Sequence, residues 1–154
     1  MKKREMKAAL EALKKIRMPA IKDKALRNRI ITDHLALLRA QKKYEANVLD
    51  LETVHLGSYA EERDALSDLR QKLLASTDAE EQKRLAAEIN GHTELLAAAR
   101  SYNKAVDALG DEEVPVAGIP EAPFLDAIQE QDFDLAMIEA LEPMFVNDEN
   151  DENQ

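Results

Sequence analysis

The chain has 154 residues, 34% of them charged, with a formal net charge of −10 and no cysteine. One domain with a modest core is the expectation for that length, and the absence of cysteine excludes disulfides and thiolate metal sites. Ala, Leu, Glu, Lys, Arg and Gln dominate over only 4 Gly and 5 Pro, the make-up of long helices and coiled coils rather than of a mixed domain. No apolar run approaches the ~18 residues needed to cross a bilayer, and no apolar stretch follows the charged start as a secretory signal requires. The expected setting is the cytoplasm, with no membrane partner.

Charge is sorted along the chain. Residues 1–44 hold 14 Lys/Arg against 4 Asp/Glu, residues 45–110 hold 7 against 13, and residues 111–154 hold none against 14. Such a molecule neutralises itself by folding back, pairs head to tail with a copy, or offers each end to a different partner. The overall acidity sets nucleic acid aside as the main ligand, although the basic first 44 residues keep local binding open.

Residues 2–17 place Leu10, Leu13 and Ile16 among lysines and read as a short amphipathic helix. Pro19 biases Met18 away from the helical region and breaks it. From Ala20 to Ala75 there is no proline and one glycine. Ile30, His34, Leu37, Gln41, Tyr44, Val48, Leu51 and His55 recur there at steps of three and four. A second row, Ile31, Leu35, Leu38 and Leu49, is interrupted at Lys42 and Glu45. Together they read as a coiled-coil seam on a helix of roughly 80 Å. Thr77 with Glu80 forms a capping box that starts a second helix, and Gly110 ends it as a C′ residue. Long helix, polar turn near 75–78 and shorter helix make an elongated antiparallel helical hairpin over 19–110. Residues 111–122 contain Pro115, Gly118 and Pro120 and read as an extended linker, at best an edge strand. Two short helices follow near 123–130 and 134–142, the second capped by Asp132, in an acidic segment over 123–146. An apolar-free tail over 147–154 reads as disordered. The fold class is therefore all-α.

Few residues offer chemistry. His34 and His55 lie roughly 30 Å apart on one helix and cannot share a metal. His55 and His92 approach each other if the hairpin closes, but Glu-x-x-His occurs only at Glu52–His55, and seam residues fixing register account for them better. Asp148–Asn153 has oxygen donors but no glycine turn of a calcium loop. No phosphate loop, metallohydrolase motif or nucleophile–base pair is present, so no enzyme, cofactor or metal is expected. The candidate partner-binding residues are Phe124, Leu125, Asp126, Ile128, Phe133, Leu135, Ile138, Leu141 and Phe145, an acidic amphipathic segment suited to a basic, apolar groove. The competing expectation is that this segment packs on the chain's own basic helices. A basic face is expected at Lys14, Lys15, Arg17, Lys22, Lys24, Arg27 and Arg29.

Arg17-Met18-Pro19-Ala20, Asp111-Glu112-Glu113-Val114-Pro115-Val116 and Asp134–Phe145 together give a layout that resembles a family of small proteins of tailed bacteriophages and prophages. The resemblance implies a phage-encoded accessory or structural protein acting in the bacterial host cell or in the virion, with a phage structural or host protein as partner. It supplies no catalytic residues. The expected function is non-enzymatic protein interaction, as a homo-oligomer. The alternatives are a DNA-mimicking acidic inhibitor of a host nucleic-acid-handling or defence protein, and nucleic-acid binding through the basic N-terminal region.

Overall fold

The computed structural model describes residues 1–147; the acidic stretch Asp148–Asn153 lies outside the described residues, as does all but the first residue of the tail over 147–154. The protein is all-α, and none of its described helices is long and apolar enough to cross a membrane. The chain divides into two compact units, one formed by Met1–Glu45 with residues from Gly110 onward, the other by Ala46–Leu109.

The first unit begins with α1 (Met6–Lys14). Met6, Ala9, Leu10 and Leu13 recur at helical spacing and are buried, while Lys7, Glu11 and Lys14 face solvent. Pro19 then opens a 3₁₀ turn at Met18–Ala20, and the chain enters α2 (Lys24–Leu56). Asp23 starts that helix: its carboxylate accepts from the backbone N–H groups of Ala25 and Leu26 at 2.9 and 3.2 Å. After Asp111 the chain runs without a helix as far as β1 (Ile119–Pro120), which pairs in parallel with β2 (Phe145–Val146), Ile119 opposite Phe145. Between the two strands lie α6 (Glu121–Ala127) and α7 (Leu135–Leu141), and α7 packs on α1. The core joins α1, the start of α2 and this C-terminal segment, with Phe124, Ile119, Leu141 and Met144 fully buried. Phe124 meets Phe133 edge-on at 6.0 Å and Phe145 at 5.5 Å between ring centres.

The second unit holds the end of α2, a 3₁₀ turn at Gly57–Tyr59, α3 (Ala60–Ala75), α4 (Ala79–Gly91) and most of α5 (Thr93–Asp111). α3 packs against α4. Leu56, Leu66 and Leu95 form its buried centre, with Tyr59, Ile89, Leu96 and Tyr102 packed round them.

Four local expectations are corrected. The cap of α4 is Asp78, not Thr77: its carboxylate accepts from Glu80 N–H at 3.1 Å. The helix expected over 77–109 is two, because the chain leaves helical geometry at His92 (ψ 57°) behind the Asn90-Gly91 dipeptide. Gly110 is not a C′ residue, since α5 continues through it to Asp111 with negative φ. The cap of α7 is Asp134, whose carboxylate accepts from Met137 N–H at 2.9 Å, rather than Asp132.

Candidate protein-interaction surface

A polar lock sets the geometry of the first unit's surface. Asp33, only 1% exposed, accepts from the N–H groups of Ala117 and Gly118, both at 3.0 Å. One turn earlier on α2, Arg29 donates to the carbonyls of Gly118 (2.9 Å) and Ala117 (3.1 Å). One acid and one base, four residues apart on a helix face, thus satisfy the N–H and C=O groups of two successive residues. Gly118 has φ +91°, and a Cβ there would stand 2.4 Å from Cγ1 of Val146, so only glycine lets β2 lie this close. This lock was invisible in the charge count, where Arg29 reads as one cation in a basic run. The signal was an isolated Asp33 four residues after it and a glycine between two prolines.

The candidate partner-binding residues fall mostly inside the core. Phe124, Ile128 and Leu141 are buried, and Leu125, Phe133, Ile138 and Phe145 are half-buried against the same cluster. Asp126 is exposed, and Leu135 is 76% exposed. The acidic segment therefore covers the chain's own basic helices, and Leu135 is its one large aliphatic side chain left in solvent before β2.

The residues expected to form a basic face differ in exposure and in partners. Lys14, Lys15, Arg17, Lys22 and Lys24 are exposed, and Arg27 is half-buried. Lys14 pairs with Glu11 at 3.5 Å, Arg17 donates to the Glu130 carbonyl at 3.3 Å, and Arg29 belongs to the lock. At Lys2–Arg4 the cations meet acid directly. Lys2 Nζ lies 3.3 Å from Asp111, Lys3 pairs with Glu112, and Arg4 pairs with Asp111. Lys3 N–H donates to the Glu112 carbonyl (2.9 Å) and Val114 N–H to that of Met1 (2.8 Å). The Lys2 ammonium hydrogen-bonded to Asp111, with Arg4 beside it, holds that carboxyl below the usual aspartate range.

Two of the open depressions in the first unit's surface combine apolar and charged linings. The larger, about 1090 Å³, lies between the Met18–Ala20 turn and α6. Ile16, Met18, Leu26 and Ala127 line its apolar part, and its polar lining is of both signs, from Arg17, Lys22, Asp126 and Glu130. Gln131, also in its lining, accepts from Arg17 N–H at 2.8 Å. The smaller, about 320 Å³, lies between α1 and α2 and is lined by Leu13, Ile30, Ile31, His34 and Leu35.

In the second unit, His92 Nδ1 lies 3.9 Å from a Glu62 carboxylate oxygen. Among the described residues, no group of three His, Cys, Asp or Glu side chains is placed to hold a metal. Comparison with protein-family models, with curated proteins and with solved structures finds no match.

Proposed function

We propose that the protein is a non-enzymatic interaction factor, a phage-encoded accessory or assembly protein of the bacterial host cytoplasm, that holds a segment of a partner protein in the larger cleft. The cleft beside the Met18–Ala20 turn carries this reading, because an aliphatic lining combined with charges of both signs suits a peptide. A groove for nucleic acid would be lined by cations and stacking aromatics instead. In this reading the second unit is an antiparallel hairpin arm built on α3 and α4.

The test is affinity capture of the tagged full chain from bacterial lysate, with and without phage infection, read by mass spectrometry. Capsid, tail or packaging proteins are expected with the wild type. Ala127→Arg, which fills the cleft from its wall, is expected to lose them while keeping the wild-type circular dichroism. Equal recovery with both proteins would overturn the cleft as the site. Recovery of a host nuclease, polymerase or defence protein would transfer the reading to inhibition.

A further inference from the structure

Two exposed ridges of the first unit have opposite charge and the same apolar centre. On α2, Arg27, Ile31, Leu35 and Arg39 follow one another at steps of four and share one side of the helix. Ile31 and Leu35 are each 46% exposed, beside the depression that also exposes Lys14 and His34. Among the described residues, neither Arg27 nor Arg39 has a carboxylate within ion-pair distance. The other ridge runs along α7 as Leu135 and Glu139 and continues to Glu142 just past its end, at steps of four and three, with Asp132 shortly before the helix. Leu135 is 76% exposed, and Asp132, Glu139 and Glu142 are exposed with it. Since the aliphatic residues of both ridges stay in solvent, neither ridge covers the other within one molecule.

We infer that a second copy of the chain docks its α7 ridge on the α2 ridge of the first. Leu135 of the incoming copy packs against Ile31 and Leu35, and its carboxylates meet Arg27, Arg39 and Lys14. The chain itself already uses this chemistry, since it covers α1 with the acidic helix α7. Nucleic acid would take up the cations but leave Ile31 and Leu35 unpartnered, and the ridge has no aromatic side chain on which a base stacks. The contact joins two different patches, so a copy engaged through one ridge still offers the other; the free ridges pair reciprocally in a closed dimer or carry assembly on into a larger ring or an open filament. The inference stands apart from the cleft: a monomer that still captures a partner through the cleft would sink it and leave the proposed function in place.

Sedimentation velocity of the full chain over a range of concentrations tests it. The wild type is expected to self-associate, and less so at high salt. Leu35→Glu and, separately, Leu135→Arg are each expected to weaken association about tenfold or more. Both sites are exposed, so circular dichroism and melting temperature are expected to stay at wild-type values. The decisive sample is an equal mixture of the two variants. Leu35→Glu keeps an intact α7 ridge and Leu135→Arg an intact α2 ridge, so the mixture forms a one-to-one dimer and stops. A monomeric wild type or a mixture that stays monomeric would each overturn the inference. So would a DNA mobility shift that Leu35→Glu abolishes, which would assign the α2 ridge to nucleic acid.

Discussion

Asp33 shows how far one side chain's role depends on what the fold brings to it. In sequence it is a lone acid in a basic stretch, and in the structure it is buried with two backbone N–H groups on its carboxylate. Removing it strands the buried Gly118 N–H and leaves the Arg29 guanidinium beside an uncompensated site. Asp33→Ala is therefore expected to lower the unfolding free energy by about 3 kcal/mol, the range for losing charge-assisted bonds to buried donors. Asp33→Asn keeps one acceptor oxygen and is expected to lose about half as much. Urea denaturation of both variants measures the difference, and equal losses would mean that the second N–H is satisfied another way. Sequence periodicity gave no access to this lock, because its partners are 84 and 85 positions away and are backbone groups.

Among the elements, the helices were legible where apolar spacing defines them and less so at their ends. The first row on α2, from Ile30 to His55, is buried or half-buried throughout, whereas Ile31, Leu35 and Leu49 of the second row are exposed. Spacing alone ranked the two rows equally, because it says which residues share a face and not what meets that face. Boundaries were set by competition between neighbours of similar chemistry, as with Asp78 over Thr77 and Asp134 over Asp132. Gly110 gives a test of this kind. A C′ glycine holds positive φ and resists alanine. Here φ is negative, and an added Cβ would meet Arg4 Cβ and the Tyr44 hydroxyl at 3.5 Å, ordinary contact distances. Gly110→Ala is then expected to stabilise the protein by about 0.5–1 kcal/mol through helix propensity. A raised melting temperature supports the continuous α5; a fall of similar size would restore the helix end at Gly110.

For the whole molecule, the sorting of charge became a fold-back. The cations of Lys2–Arg4 lie along Asp111–Glu112, and the acidic apolar segment after residue 120 closes the core over α1. Charge order had left fold-back, head-to-tail pairing and separate partners open; it did not choose among them or say which pairs form. These ion pairs are solvent-exposed, so their contribution is small and screened by salt. Its pH dependence has a definite sign. The Lys2 hydrogen bond and the nearby Arg4 hold the Asp111 carboxyl in the folded chain below its ordinary value of 3.8. The folded state therefore binds fewer protons than the unfolded state just below pH 4. Stability from Asp111 is fully present above that ordinary value and is lost as the pH falls through the lower folded value. Asp111→Asn removes this dependence. The difference in melting temperature between wild type and Asp111→Asn is expected to be constant from neutral pH to about pH 5, to shrink below pH 4, and to be smaller at every pH in high salt. Differential scanning calorimetry over that range tests it, and a gap that widens on acidification would mean that Asp111 binds its proton more tightly in the folded chain, against the pairing with Lys2 and Arg4.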